Sequence, residues 1–410
     1  MRAILRLLTC GLLLSGVLAV ACAEEASPQV LFDMDSIRHK PTQFGQAKKP
    51  AGTVELVEGK VGKACKFTFE KDASGGFFIA SVRATPEWDK AAGISFWLKG
   101  DGSKNFGGIE LIDASDYGLR YAAAFPLDST EWRKIAIPWC DFIPELSKAK
   151  FIGVPGGYAP SGFGNFWLGK WWTWRDYPSY SFTIDQVALE PAIALDTTDY
   201  TPAKAGVGRL LAKLKAKQPV TIVTMGDSLT DKRHWANRQI VWAEVLATML
   251  KETYGAEVNL VNVSRGGSQL AHGILNCPVW LAETPEPDLI TVWFGFNDWS
   301  DGLRGEQFKE LLTFTVDRLR RLTKGKSEIL LMATCPAIER WEAMDEMAGA
   351  VRLVAMRKRT GLADVAAAFK KAGEAEAARL ALYCSDKTHL GEAGHRLAAE
   401  IVLKAIAASE

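Results

Sequence analysis

The stretch VTIVTMGDSLTD at residues 220–231 decides the fold of the second half of this chain. It begins as a largely apolar run, which is typical of strands buried in a parallel sheet, and passes directly into Gly-Asp-Ser. Further apolar runs and helical patterns follow: runs at 258–263, 289–294 and 329–333, and helical patterns at about 241–254, 306–322, 346–359 and 393–408. This alternation predicts a three-layer α/β/α domain over residues 219–410, with Gly255, Gly325 and Gly361 ending helices.

The first half of the chain has a different periodicity. Short alternating runs, for example at residues 66–69, 93–98 and 182–187, are separated by clusters of Gly, Asp, Ser and Pro. Many short strands without convincing helical patterns predict an all-β sandwich of the jelly-roll type over residues 28–195. Residues 196–218 are then a linker that ends in a basic amphipathic helix.

The N-terminus has the pattern of a secretory signal. Arg2 and Arg6 precede an apolar stretch at residues 7–21, and small residues follow it. This pattern predicts a signal peptide over residues 1–23 and a secreted or periplasmic protein. The alternative is lipidation at Cys22, which would tether the mature chain to a membrane surface. No later stretch of the sequence has the apolar length of a membrane-spanning helix.

Polar residues that can perform chemistry come directly after the apolar runs. Ser228, Gly267 and Asn297 follow the first three runs in that order, and Asp386 and His389 precede the last helical pattern. Because ligands meet the carboxyl ends of parallel strands, these residues are expected to converge. A serine hydroxyl needs a base to become a nucleophile, and an aspartate three residues before a histidine can hold the imidazole in the required tautomer.

These four blocks resemble the SGNH, or GDSL, hydrolase superfamily of esterases and lipases over about residues 219–410. The resemblance implies a flavodoxin-like parallel sheet, with Ser228 as nucleophile, His389 as base and Asp386 as its partner. It implies an oxyanion hole formed by Ser228, Gly267 and Asn297, in which the second glycine of the Gly-Gly pair takes part. No histidine pair has zinc-ligand spacing, and no metal or cofactor is expected.

Other polar residues have simpler expected roles. Asp298 is expected to form an Asx turn, and His395 to pack inside the last helix. His234 and His272 are expected in loops near the first two blocks, exposed to solvent, with a substrate contact as the alternative. Export permits one disulfide in each half of the chain, while packing as buried thiols is equally consistent with the sequence. The cysteines concerned are Cys65, Cys140, Cys277, Cys335 and Cys384.

The end of the predicted sandwich is dense in aromatic residues. They are Tyr158, Phe163, Phe166, Trp167, Trp171, Trp172, Trp174, Tyr177 and Tyr180. Flat rings stack on sugar faces, but they also pack in cores and between domains, and both interpretations stay open. This half resembles jelly-roll modules of the galactose-binding or carbohydrate-binding type. In such modules acidic residues sometimes hold a structural calcium ion, and the candidates here are Asp33, Asp35 and Asp185.

These features predict a secreted serine esterase that removes acyl groups, chiefly acetyl, from a carbohydrate through an acyl-enzyme intermediate. The expected partner is an acylated carbohydrate or polysaccharide. Nucleic acid is not an expected partner, because 49 basic and 48 acidic side chains nearly cancel. Two alternatives remain: an acylhydrolase of the lipase or thioesterase type, and a sugar-binding protein whose hydrolase domain is inactive.

Overall fold

The computed structural model describes residues 27–43, 50–71, 76–169 and 179–409. The predicted signal peptide, including Cys22, lies outside the described residues. So do four members of the aromatic stretch, namely Trp171, Trp172, Trp174 and Tyr177. Within the described residues, two antiparallel sheets are followed by a parallel sheet with helices, which confirms the predicted fold class.

The first part of the chain is a sandwich of two six-stranded sheets in the described residues. Its elements are β1 (Gln29–Phe32), β2 (Lys40–Gln43), β3 (Gly52–Glu58), β4 (Lys63–Phe69), β5 (Gly76–Ser81), α1 (Glu87–Lys90), β6 (Gly93–Lys99), β7 (Phe106–Asp113), β8 (Arg120–Pro126), β9 (Arg133–Pro138), β10 (Ile143–Pro144), β11 (Phe163–Gly169) and β12 (Tyr180–Glu190). One sheet has the order β3-β4-β12-β6-β9, with β1 also paired to β12, and the other has the order β10-β8-β7-β11-β5-β2.

Aromatic rings fill the space between these two sheets. Alternate residues of β4 point inward, and the register pairs Phe67 with Phe182 and Phe69 with Tyr180, all of them buried. His39 lies among these rings, with its centroid 5.3 Å from that of Phe67. Neither of its ring nitrogens has a hydrogen-bond partner in the described part of the chain, and burial lowers the pKa of His39 to about 4.

The second part is a parallel sheet covered by helices. Its elements are α2 (Gly208–Lys215), β13 (Val220–Gly226), α3 (Trp242–Tyr254), β14 (Val258–Asn262), α4 (Leu270–Leu275), α5 (Cys277–Leu281), β15 (Leu289–Trp293), α6 (Phe296–Ser300), α7 (Gly305–Leu322), β16 (Glu328–Met332), α8 (Asp345–Lys358), β17 (Gly361–Ala363), α9 (Val365–Ala372), α10 (Glu376–Ala381) and α11 (Glu392–Ala407). The strands lie in the order β14-β13-β15-β16-β17. This order reverses between β13 and β15, which is where such sheets open a ligand crevice.

Two of the predicted helix ends differ from the structure. Gly255 is the left-handed residue that ends α3, as predicted, but Gly325 comes two residues after the C-cap of α7. Gly361 begins β17, and Arg359 instead takes the left-handed conformation that ends α8. The prediction for Gly361 was wrong because β17 is only three residues long and pairs with a distant strand. His395 is fully buried in α11, as predicted.

The sandwich and the α/β part are in direct contact. Asp141, which follows β9, accepts hydrogen bonds from Arg318 and Arg321 of α7. The rings of Phe151 and Phe314 lie 4.7 Å apart between centroids. None of the helices in the described residues combines the length and apolar character needed to cross a bilayer.

Substitution His39→Phe should stabilise the protein and weaken its sensitivity to acid. Burial holds the pKa of His39 at about 4, whereas the unfolded side chain titrates near 6.5, so the unfolded chain binds more protons between these values. The stability that depends on the neutral ring is therefore complete above about pH 6.5 and is lost as the pH falls towards 4. The melting temperatures of wild type and variant should diverge between pH 7.5 and 4.5.

Phe67→Leu is the matched control, because it alters the same aromatic cluster without a titrating group. It should change the melting temperature by an amount that does not depend on pH. A constant or narrowing gap between wild type and His39→Phe on acidification would contradict the prediction.

Candidate active site

Ser228 lies two residues beyond β13 in a loop that is fixed by internal hydrogen bonds. Asp227 is buried, and its Oδ1 accepts the Leu229 N–H at 2.9 Å. Burial raises the pKa of Asp227 to about 7. The side-chain amide of Asn237 donates to the carbonyl oxygens of Ser228 and Asp231, at 2.6 and 2.8 Å. Two separate parts of the loop are thereby held together around the serine.

The structure brings Ser228, His389 and Asp386 into one hydrogen-bonded row. His389 Nε2 is 2.9 Å from Ser228 Oγ, and His389 Nδ1 is 2.5 Å from Asp386 Oδ2. Asp386 and His389 lie on one tight turn, in which Lys387 has a left-handed φ of 60°. The Asp386 carboxylate also accepts the backbone N–H groups of Thr388 and His389.

The electrostatics of this row favour an ionised Asp386. Partial burial alone would raise the pKa of the carboxyl group, but hydrogen bonds from the His389 ring, the His389 backbone and the Thr388 backbone lower it below its ordinary value. An ionised Asp386 fixes the proton of His389 on Nδ1, which leaves Nε2 able to accept the proton of Ser228.

The two predicted oxyanion donors from other loops also lie at this edge of the sheet. Asn297 follows β15, and one of its two side-chain N–H groups donates to the Ser268 carbonyl at 2.9 Å, which leaves the other for a ligand. Gly267 has a φ of +78°, and a Cβ built there meets no other atom within 4 Å. The amide of Gly266 instead donates to Asp231 Oδ2 at 2.9 Å. The role of Gly267 as an oxyanion donor stays a prediction.

Ser228, Asn297 and His389 face one small cavity of about 60 Å³. Phe296 and Pro336 form apolar parts of its wall. The volume is far below the roughly 300–1,000 Å³ of ordinary small-molecule sites, so only a short group fits inside. Larger cavities of about 300 and 830 Å³ lie elsewhere, and neither is lined by the serine or the histidine.

Two neighbours of this site were not found by sequence reasoning. His234 was expected in solvent, but its ring stacks on that of His389 with 4.2 Å between centroids. Partial burial, and then the adjacent His389, lower the pKa of His234, so the stacked ring is neutral at neutral pH. The ring of Trp235 lies 5.7 Å from that of His389. No spacing in the sequence could indicate these contacts, because they join loops that lie far apart in the chain.

The expected roles of Asp298 and His272 are wrong. Asp298 is buried, and its Oδ1 accepts the N–H of Leu270 at 2.9 Å instead of forming an Asx turn. His272 is buried in α4, and its Nδ1 accepts the N–H of Gln269 at 3.1 Å. Both side chains satisfy backbone groups at the start of α4, which packing brings next to the end of β15. Burial, with the charge of Asp227 as a further cause, raises the pKa of Asp298 to about 7.

The described part of the aromatic stretch packs in the sandwich. Phe163, Phe166, Trp167 and Tyr180 are all buried, and the Tyr158 hydroxyl donates to a carboxylate at 2.7 Å. These five rings therefore follow the packing interpretation and not that of an exposed sugar platform.

The three calcium candidates accept hydrogen bonds from the backbone. Asp185 Oδ2 accepts the Val61 N–H at 2.8 Å, Asp35 Oδ1 accepts the Lys63 N–H at 2.6 Å, and Asp33 Oδ1 accepts the N–H of Asp35 at 3.2 Å. No group of three or more His, Cys, Asp or Glu side chains in the described ranges is arranged to hold a metal ion. The five cysteines named above are free thiols.

Comparison with known families agrees with this architecture. Residues 224–397 match the GDSL-like Lipase/Acylhydrolase family. The second half of the chain is a GDSL-like acylhydrolase domain. Residues 25–149 match the family 11 carbohydrate binding domain, so a carbohydrate-binding module precedes the acylhydrolase domain. The predicted resemblance to both kinds of domain is confirmed.

Individual relatives cover parts of the chain. A mannan endo-1,4-beta-mannosidase of Bifidobacterium adolescentis is 34% identical over 79 residues, which span 19% of this chain and only 8% of that protein. A solved acetyl xylan esterase variant from Geobacillus stearothermophilus is 20% identical, with 47% of this chain and 95% of that chain covered and a TM-score of 0.38. A solved family 11 carbohydrate-binding module from Clostridium thermocellum, in complex with a mixed-linked tetrasaccharide, is 20% identical, with 41% and 98% covered and a TM-score of 0.32.

Substitution Asn237→Ala should impair the acylhydrolase domain by releasing the serine loop. Two carbonyl groups lose their donor, which should lower the free energy of unfolding by about 1–3 kcal/mol. A shift of Ser228 relative to His389 should lower kcat for an acetate ester by roughly ten- to a hundredfold. Urea denaturation and steady-state kinetics measure the two effects. The control is Asn259→Ala, which removes an exposed amide on β14 and should leave both quantities unchanged. An unaltered kcat in Asn237→Ala would refute the role proposed for the Asn237 amide.

Proposed function

We propose that this chain is an exported serine esterase that removes short acyl groups, chiefly acetyl, from a carbohydrate. The observation that carries this proposal is the 2.9 Å contact between Ser228 Oγ and His389 Nε2 at the wall of a small cavity. The family 11 carbohydrate binding domain in the first half supports a carbohydrate as the acylated alcohol. The N-terminal pattern at residues 1–23 supports export, with lipidation at Cys22 as the alternative.

In the acylation step, Ser228 Oγ attacks the carbonyl carbon of the ester while His389 Nε2 accepts the hydroxyl proton. The electron pair of the carbonyl bond moves onto its oxygen, and the resulting oxyanion accepts hydrogen bonds from the Ser228 amide, the Gly267 amide and the Asn297 side chain. The ionised Asp386 stabilises the imidazolium form of His389. Collapse of the intermediate breaks the bond to the sugar oxygen, which takes the proton from His389.

In the deacylation step, a water molecule replaces the sugar. His389 removes a proton from this water as it attacks the acyl carbon, and the same donors stabilise the second oxyanion. Breaking the bond to Ser228 Oγ releases the carboxylic acid and returns the proton to the serine. The neutral ring of His234, stacked on His389, adds no positive charge that would oppose the imidazolium.

The size of the cavity supports acetyl as the acyl group. A volume of about 60 Å³, walled in part by Phe296 and Pro336, fits a two-carbon group, whereas a longer chain would extend beyond the cavity. An enzyme of the lipase or thioesterase type would need room for many methylene groups at this point.

Acetate release tests this proposal directly. Wild type should release acetate from at least one of acetylated xylan, acetylated mannan and acetylated pectin, and Ser228→Ala should lose about 10⁴-fold or more of the rate. On ethyl esters of increasing chain length, kcat/KM should fall by at least about tenfold from acetyl to octanoyl, because the longer chain loses its fit. Ser300→Ala, at an exposed serine of the same domain, should behave as wild type.

The alternatives give different results in the same assays. A preference for octanoyl over acetyl would favour the lipase or thioesterase type. Binding of polysaccharide without release of acetate from any ester would leave the sugar-binding protein with an inactive hydrolase domain.

A further inference from the structure

Trp235 is the one exposed tryptophan in the part of the chain that the structure describes, with 52% of its surface accessible. A single exposed apolar side chain is ordinary on a protein surface. The position of Trp235 is unusual, because its ring centroid is 5.7 Å from that of His389. About half of a large aromatic side chain is therefore open to solvent beside the proposed catalytic base.

The loop that carries Trp235 is held rigidly. The N–H of His234 donates to the Asp231 carbonyl at 3.0 Å, and the N–H of Asn237 donates to the His234 carbonyl at 3.0 Å. The Asn237 side chain ties the same loop to the Ser228 carbonyl at 2.6 Å. The ring of His234 contacts both of the others, with its centroid 5.4 Å from that of the indole and 4.2 Å from that of His389. An aromatic ring held in place before ligand binding loses little entropy when it makes a contact.

The chemistry of ester cleavage determines which part of a substrate lies beside this ring. The proton on His389 Nε2 passes to the leaving oxygen, so the alcohol part of the ester must lie on the imidazole side of the site. The acyl part lies in the cavity walled by Phe296 and Pro336, and Trp235 is not among the residues that line that cavity. The indole therefore faces the alcohol part and not the acyl chain.

We propose that Trp235 is a stacking platform for the sugar ring that carries the acyl group. This inference rests on the proposed function and adds a specificity-determining residue to it, located in the acylhydrolase domain itself and separate from the carbohydrate-binding module. The C–H face of a pyranose ring covers an indole face well, and such a contact removes apolar surface from water. The sugar is then held with one acylated hydroxyl directed at Ser228.

The test compares a substrate that has a sugar ring with one that has none. The first is the acetylated oligosaccharide on which wild type is most active, from a panel of acetylated xylo-, manno- and galacturono-oligosaccharides, and the second is ethyl acetate. Trp235→Ala should lower kcat/KM for the oligosaccharide about tenfold, mainly through KM, which is the size expected for one lost aromatic contact. Its kcat/KM for ethyl acetate should stay within about twofold of wild type, because that alcohol does not reach the ring.

Trp235→Phe is the matched control, since it keeps a flat ring at the same position. It should retain most of the activity on the oligosaccharide. A nitrophenyl ester is unsuitable here, because its aromatic leaving group could itself stack on the indole. The melting temperature of each variant shows whether the fold is retained.

Each failure can be recognised. Equal losses on both substrates in Trp235→Ala would show that the indole only supports His389, and unchanged kinetics on the oligosaccharide would show that it contacts no sugar. Either result overturns the platform and leaves the proposed function standing. Hydrolysis of ethyl acetate by wild type without acetate release from any member of the panel would overturn the carbohydrate substrate and the platform together.

Discussion

The hydrogen bond between Ser228 Oγ and His389 Nε2 joins residues that are 161 positions apart, and the chemistry of the site depends on it. It forms because the loop after β13 and the turn before α11 lie at the same edge of the parallel sheet. A second hydrogen bond, between α3 and α11, supports this arrangement. The ring of His395 in α11 accepts the N–H of Trp242 at the start of α3, which fixes the helix after the imidazole against the helix after the serine loop.

Two buried carboxyl groups hold the backbone around the site in place. Asp227 and Asp298 are both buried next to residues that take part in the proposed reaction, and burial raises the pKa of each to about 7. Their carboxyl oxygens accept the N–H groups of Leu229 and Leu270, which fixes the serine loop and the start of α4. Titratable groups with such shifts are concentrated at functional sites, where a fixed geometry matters more than the stability of the fold.

The elements that could be predicted from the sequence are those marked by a pattern of neighbouring residues. The strands of the parallel sheet are apolar on both faces, so β13, β15 and β16 lie close to their predicted ranges. Ser228 was predicted after a strand, and Asp386 and His389 before the last helix, and the structure brings these three side chains into contact. The short strand β17 was missed, since three residues carry no periodicity and its pairing depends on a distant partner.

Other features depend on contacts that no local pattern encodes. The stacking of His234 on His389 arises only when two loops meet, so spacing alone placed His234 in solvent. The aromatic residues of β11 could not be assigned to the core or to a sugar platform, because both roles use the same side chains. Phe166 and Trp167 proved to be buried by the sandwich itself.

The most direct test of the central claim is covalent labelling of the serine. A fluorophosphonate reagent requires a serine that is activated by a neighbouring base, and the product is stable enough for mass spectrometry. One adduct per chain on the peptide that contains Ser228 is expected, and His389→Ala should abolish it. Ester hydrolysis by a protein that remains unlabelled at Ser228, or labelling that persists in His389→Ala, would contradict the claim that these two residues act as nucleophile and base.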